Sequence, residues 1–185
     1  LVNQHIYGTY GYIAPILHTA AGFTTGQVNA TLLVFGVGLT AGNMLGGRLA
    51  DRWPTRSMFG ILLALAVVEA ALWLAASHPP AAVVTVFLWG MATFATVPGL
   101  QTRVLDEAKD APALASTLNI GAFNLGNAAG AWLGAFALER HVQLVELPLL
   151  ASGLALVALA VLAWGASLSR AAGVSPLLHL PQGKP

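Results

Sequence analysis

The sequence predicts an all-α integral membrane protein with six transmembrane helices. Of its 185 residues, 57% are hydrophobic and 8% are charged, whereas a soluble domain carries about 25% charged residues. No Asp, Glu, Lys or Arg occurs from Leu1 to Gly47. Because a helix crosses the hydrocarbon core in about 20 residues, this stretch is long enough for two crossings. Strands of a membrane barrel would alternate in polarity over roughly ten residues, and these runs do not.

Short polar segments and prolines divide the chain into spans. Thr24 and Gln27 have the spacing of a capping box, which satisfies free amides at a helix start. The proline pair at 79–80 separates two spans, because proline fits a helix start but not its interior. The six-helix domain covers 1–169, and a cytoplasmic tail at 170–185, with three prolines, is predicted to be disordered. The predicted spans are about 1–21, 26–47, 57–77, 81–102, 111–138 and 147–169.

The basic residues predict the orientation of the helices. Seven of the eight Lys and Arg residues fall on one side of the predicted spans, and only Arg140 falls on the other. Because cytoplasmic loops carry the excess of Lys and Arg, this asymmetry places both chain ends and the charged segments 48–56 and 103–110 in the cytoplasm.

Composition and motifs exclude several classes of function. The formal net charge of +1 argues against a nucleic-acid partner. Without cysteine there is no disulfide, thiolate metal site or cysteine nucleophile. The chain contains no H-E-x-x-H, G-x-S-x-G or nucleotide-binding loop, the motifs of common hydrolases and phosphate binders. We therefore expect no enzymatic activity, no metal and no cofactor.

Two predicted helices carry glycines at every fourth position. In lipid, this spacing lets two helix backbones approach closely, either as static packing or as surfaces that slide against each other. Spans 2 and 5 hold matching positions in two groups of three helices, as expected of a 3+3 inverted repeat. The helix-packing glycines are Gly38, Gly42, Gly46, Gly126, Gly130 and Gly134.

The junction between the second and third spans carries a distinctive motif. Residues 46–56 read G-G-R-L-A-D-R-W-P-T-R. This segment resembles the cytoplasmic loop signature of the major facilitator superfamily, G-x-x-x-D-R-x-G-R-R. A proline and a threonine replace a glycine and a basic residue of that signature. The residues that match it are Gly47, Asp51, Arg52 and Arg56.

Three further segments extend the resemblance. Residues 10–15, 98–103 and 119–127 are similar to helices 7, 10 and 11 of the sugar-efflux and arabinose-efflux-like permeases of the drug:proton antiporter branch. The family has twelve helices, so the resemblance implies that this chain is the C-terminal half, helices 7–12. Its expected partners are the lipid bilayer, an N-terminal six-helix half, a small-molecule substrate and protons. The expected location is a bacterial inner membrane.

The resemblance gives the signature residues a role. In the family this loop is a cytoplasmic gate that favours one access state. Asp51 would cap a neighbouring helix, and Arg52 and Arg56 would pair with acidic residues of the next cytoplasmic segment. The alternative is that the arginines only set the topology.

Glu69 is the one carboxylate inside a predicted span. Burying it in ionised form is costly, so an intramembrane acid is a functional candidate by default, here for a proton site. The alternative is a neutral Glu69 that hydrogen-bonds a neighbouring helix, because in this fold the third helix of a triple rarely lines the central cavity.

Polar residues on the first and second helices of each triple are candidates for substrate contact, since these helices face the central cavity in the family. An amide there could bind a sugar hydroxyl or could hold two helices together. The candidates are Tyr10, Thr96, Gln101, Asn119, Asn124 and Asn127.

The resemblance and the residues together predict a secondary active transporter. It would export a small organic solute, such as a sugar or a drug, in exchange for protons. Two six-helix halves would rock around a midplane cavity to give alternating access. The alternative is a six-helix membrane scaffold or assembly partner without transport activity.

Overall fold

The computed structural model describes residues 12–108 and 111–171, without the side chains of 107 and 169–171, and no strand occurs among them. The prediction of an all-α protein is therefore confirmed for this part of the chain. A single 3₁₀ turn, Leu144–Glu146, precedes the last helix. The α-helices in the described residues are α1 (Ile13–Thr19), α2 (Thr25–Arg52), α3 (Pro54–Ala75), α4 (Pro79–Glu107), α5 (Pro112–Glu139) and α6 (Leu147–Ala171).

Four helical segments are long and apolar enough to cross a membrane, by length and composition. They are Thr25–Arg52, Pro54–Ala75, Pro79–Asp106 and Leu144–Leu168. At 28 residues, α5 is as long as α2, and it contains three asparagines and four glycines. The predicted first span begins outside the described residues. The 3+3 repeat and the crossings by α1 and α5 remain predictions.

The local helix boundaries follow from a few side chains. The predicted capping box is confirmed: the backbone N–H of Gln27 donates to Thr24 Oγ1 (3.4 Å), and the backbone N–H of Thr24 donates to Gln27 Oε1 (2.9 Å). Just before it, Gly22 has a φ of +67°, a conformation that glycine adopts without steric cost. The proline pair at 79–80 opens α4, where missing amide hydrogens cost nothing.

The junction of α2 and α3 is shorter than the sequence predicts. Helix α2 continues past Gly47 to Arg52, and α3 begins at Pro54, so Trp53 alone joins the two helices. A charged segment can remain helical beyond the membrane because its side chains reach water. Pro54 then ends the hydrogen-bond ladder of α2 and occupies the first turn of α3.

Helices α2 and α4 pack in parallel along their length. Three glycines of α2 face the backbone of three residues of α4 in the same order along the sequence: Gly38 faces Phe87, Gly42 faces Met91 and Gly46 faces Ala95. The two helices therefore run in the same direction.

The parallel packing sorts the helix ends into two groups. A Cβ at Gly99, near the end of α4, would lie 3.0 Å from Met58 Cε and 3.8 Å from Ala50 Cβ, which flank the α2–α3 junction. At the other end, Phe23 and the proline pair 79–80 line one small cavity. The turns therefore alternate between two ends of the bundle.

Helices α3 and α6 form a second close pair. The Ser152 hydroxyl of α6 donates to the Ala66 carbonyl of α3 (2.8 Å) in a buried position. This bond satisfies a hydroxyl that would otherwise be buried without a partner. Because α4 also contacts α3, the two helix pairs form one bundle.

Candidate functional site

Glu69 lies in the interior of α3 and is 8% exposed. The Trp89 side chain of α4 lies close to its carboxyl group. The carboxyl oxygen Oε2 is buried and has no hydrogen-bond partner in the described part of the chain. A buried polar atom without a partner is unfavourable, and an ionised one more so.

Glu69 is one of the residues that line a cavity of about 550 Å³, hereafter the Glu69 cavity. Residues of α1, α3, α4, α5 and α6 line it, and the wall is mostly apolar. Among the described lining residues, only Glu69 and Tyr12 carry titratable side chains. The Tyr12 hydroxyl donates to the Ala131 carbonyl of α5 (3.3 Å). Glu69 is therefore the one carboxylic acid among the described residues of this wall.

The glycines of α2 and α5 have different surroundings. A Cβ at Gly42 would lie 2.7 Å from the Met91 carbonyl carbon, and one at Gly46 would lie 2.7 Å from Ala95 Cα. On α5, a Cβ at Gly134 would meet the Tyr12 ring (2.9 Å). In the described part of the chain, nothing lies within 4 Å of a Cβ at Gly126 or Gly130 of α5, which line the Glu69 cavity.

Three polar side chains connect α4 and α5 near the α4–α5 turn. The Asn119 amide nitrogen donates to Gln101 Oε1 (2.6 Å), and Gln101 Nε2 donates to Ser116 Oγ (2.8 Å). Two predicted substrate contacts, Gln101 and Asn119, therefore hydrogen-bond each other. This arrangement fits the alternative in which amides hold two helices together.

The other predicted substrate contacts lie apart from this cluster. The Thr96 hydroxyl donates to the Thr93 carbonyl of its own helix (2.6 Å). Asn124 is exposed and Asn127 is half-buried, whereas Tyr10 lies outside the described residues. None of these side chains is among the described residues that line the Glu69 cavity.

The signature residues occupy an exposed surface at the α2–α3 junction. Asp51, Arg52 and Arg56 are exposed and Gly47 is half-buried. The Arg52 guanidinium lies 4.9 Å from the centroid of the Trp53 ring. Within the described side chains these residues form no ion pair, and no side chain caps the start of α3. The described side chains therefore include none of the proposed gate contacts, and the side chains of residues 107 and 110 in the next charged segment lie outside the described part of the chain.

Sequence reasoning missed Trp89 and Ser116. A mid-span acid indicates that some donor must lie nearby, but no sequence spacing connects Glu69 to a tryptophan on the next helix. Ser116 likewise lies on another helix from Gln101, one turn before Asn119, so helical periodicity places it on the same face.

Comparison with known proteins identifies the family. The family model described as Major Facilitator Superfamily matches residues 2–178. The chain is 41% identical over 155 residues to the inner membrane transport protein YdhP of Escherichia coli, covering 82% of this chain and 40% of YdhP. It is 38% identical over 134 residues to the MFS-type transporter YfhI of Bacillus subtilis, covering 72% and 34%. It is also 38% identical over 162 residues to a chloramphenicol resistance protein of Streptomyces lividans, covering 88% and 41%.

These relatives are longer than the chain, which spans 34–41% of their length. The matched family model nevertheless covers residues 2–178, which include all of the described helices. The chain therefore belongs to the major facilitator superfamily.

Proposed function

We propose that this chain is one half of a secondary active transporter that exports a small organic solute in exchange for protons. Family membership supports transport rather than an enzymatic reaction. One relative is named for resistance to chloramphenicol and another for inner membrane transport, which supports export across a bacterial inner membrane. The proposed partner is a six-helix N-terminal half, with which this half rocks around a shared cavity.

The contacts between helices support a 3+3 inverted repeat. The second helix of the first triple, α2, packs through its glycines on α4, the first helix of the second triple. The Tyr12 ring, at the start of α1, packs against Gly134 of α5. The second helix of each triple thus contacts the first helix of the other triple, which is the exchange expected of two related triples.

The distribution of arginines supports a cytoplasmic location for the α2–α3 and α4–α5 junctions. Arg48, Arg52 and Arg56 lie at the same end of the bundle as Arg103, whereas Arg140 lies at the other end. An excess of basic residues marks the cytoplasmic side. At that side, Asp51 and the exposed arginines are available to contact the other half, which is where the proposed gate contact would form.

Glu69 is the proposed proton site, and its burial is the single observation that carries the proposal. A carboxyl group in a membrane interior is costly when ionised and is therefore neutral unless it meets a donor or water. The unpartnered oxygen Oε2 of Glu69 is the atom to which a proton would add. Exposure of this oxygen to opposite sides of the membrane in turn would couple proton entry to solute exit.

The other intramembrane polar side chains are proposed to serve the solute. Asn124 is exposed on α5, so it is available to a cavity shared with the other half, and Asn127 on the same helix keeps the same proposed role. Thr96 and Tyr10 keep the same proposed role. Gln101 and Asn119 are better explained as a connection between α4 and α5, because the side-chain amide of each already hydrogen-bonds to a residue of the other helix.

Solute-driven proton release in inverted membrane vesicles tests this proposal. The vesicles contain the complete gene product and a fluorescent reporter of the pH gradient, and chloramphenicol or arabinose is added. We expect solute to release protons from vesicles with wild-type protein, and Glu69→Gln to reduce the release at least tenfold. Glu139→Gln, which alters an exposed acid at the end of α5, is the matched control. Equal release from Glu69→Gln and wild type would exclude Glu69 as the proton site, and no release with any solute tested would favour the scaffold alternative.

A further inference from the structure

We propose that the α2–α3 junction binds the headgroup of an anionic phospholipid through Arg52 and Arg56, on the side of the bundle that faces the bilayer. The inference requires only that these helices cross a membrane, which family membership and their apolar composition support. It does not depend on the solute or on proton coupling. It gives these two arginines a partner other than the gate and leaves Arg48 and Asp51 to the other half.

The exposed stripe of α3 ends at Arg56. At 3.6 residues per turn, Arg56, Leu63, Val67 and Leu74 lie within about 40° of one another around the helix. The three apolar side chains of this stripe are 51–68% exposed, whereas α2, α4 and α6 pack against the other side of α3. An exposed apolar stripe that faces away from the bundle of a membrane protein is suited to contact with lipid. Arg56 therefore lies on the face of α3 that is directed to the bilayer.

Arg56 also lies at the depth of the lipid headgroups. Helix α3 has 22 residues, so it is about 33 Å long, close to the hydrocarbon thickness of about 30 Å. Arg56 is in its first turn, from which a long basic side chain reaches the membrane surface. Trp53, directly before α3, is 47% exposed, and tryptophan is enriched at this level of a membrane. Both residues therefore mark the boundary between hydrocarbon and headgroups.

The positive charge of this junction has no described partner. Arg52 and Arg56 are exposed, Asp51 is the one acid in residues 46–56, and no ion pair joins the two arginines to a described side chain. The Arg52 guanidinium lies 4.9 Å from the centroid of the Trp53 ring. Such a contact uses the face of a guanidinium and leaves the N–H groups at its edge free to donate to a phosphate. An anionic headgroup supplies the missing negative charge, as at other basic clusters beside a transmembrane helix.

Fluorescence quenching by brominated lipids in nanodiscs tests the site. The complete gene product carries a bimane label on Gly60→Cys, with its other cysteines replaced by serine. Gly60 is exposed on α3 one turn after Arg56, and nothing described lies within 4 Å of a Cβ there. The bilayer mixes phosphatidylglycerol and phosphatidylcholine, and bromine is placed on the acyl chains of one lipid or the other. We expect both lipids to quench and phosphatidylglycerol to bind at least about fivefold more tightly, because one basic residue near an anionic surface contributes about 1 kcal/mol.

Variants assign this lipid preference to the arginines. Arg56→Gln should reduce the preference about fivefold, and the double variant Arg52→Gln/Arg56→Gln should abolish it. Arg56→Lys keeps the charge and should retain most of the preference. The matched control is Arg140→Gln, which should leave the preference unchanged. Arg140 is also exposed and lies 4.8 Å from the centroid of an aromatic ring, that of Phe136, but at the other end of the bundle.

Four results would overturn the inference. Absence of quenching by either lipid would show that the other half covers the stripe, and equal quenching by both lipids would show contact without selection of the headgroup. An unchanged preference in a folded double variant would exclude the arginines, and if that variant does not fold, Arg56→Gln alone decides. Loss of the preference on addition of glycerol 3-phosphate would indicate a site for free phosphate and not for lipid. These measurements use neither solute nor a proton gradient, so lipid selection and proton release can fail independently.

Discussion

Alanine at position 42 should force α2 and α4 apart, because Gly42 lies directly against the backbone of Met91. A Cβ at this position would lie 2.8 Å from Met91 Cα, whereas an ordinary contact of a Cβ begins at 3.4 Å. The atoms it meets belong to the backbone and cannot rotate away, so the helices must separate until that distance is restored. Overpacking of this kind costs about 1–3 kcal/mol.

The matched control is Gly36→Ala on the same helix, where nothing lies within 4 Å. Alanine improves helix propensity by about 0.5–1 kcal/mol at both positions, so the difference between the two variants isolates the steric cost. The assay is thermal unfolding of the complete gene product in detergent. One kcal/mol shifts the midpoint of a domain of 150–250 residues by about 2–4 °C and that of a longer protein by less, so Gly42→Ala should unfold below Gly36→Ala by at most about 12 °C. Equal midpoints would refute the close approach of α2 and α4.

The remaining predictions address topology, the gate and the α4–α5 connection. This half of the complete protein has no cysteine, so single cysteines report on topology. An impermeant thiol reagent added from the periplasm should label Pro80→Cys and not Thr55→Cys. The opposite labelling pattern would show that the topology is inverted. In the absence of ligand, Asp51→Asn should change the accessibility of cytoplasmic cysteines and leave substrate affinity nearly unchanged, because a charge near a helix end is worth about 0.3–1 kcal/mol. Reduced affinity with unchanged accessibility would instead show that Asp51 binds the substrate. Gln101→Leu should lower the free energy of unfolding by about 1–3 kcal/mol, because it leaves the Asn119 amide without its acceptor, and a midpoint equal to wild type would show that the bond contributes nothing.

The sequence determined most of the helix boundaries. The capping box of Thr24 and Gln27 and the start of α4 at Pro79 depend on residues within one turn of each other, so spacing alone predicts them. The family signature is also local, since Gly47 to Arg56 lie in one segment. The end of α2 at Arg52 was less predictable, because charged residues mark the edge of the membrane and not the end of a helix.

Only the tertiary structure decided what lies opposite each helix face. Periodicity places Gly42 and Gly130 on comparable glycine stripes, but Gly42 meets a helix backbone and Gly130 faces a cavity. Periodicity also identifies the helix faces on which Gln101 and Asn119 lie, but it does not show that these two side chains hydrogen-bond each other.

Glu69 combines both kinds of information. Its position within an apolar span was sufficient to predict burial, because a span of this composition leaves few other places for a side chain. The nearby Trp89 side chain, the oxygen without a partner and the cavity that Glu69 lines depend on how α3 packs against α4, α5 and α6. The spacing of residues along one helix specifies which side chains share a face, whereas the neighbour of that face is set by the packing of segments distant in the chain.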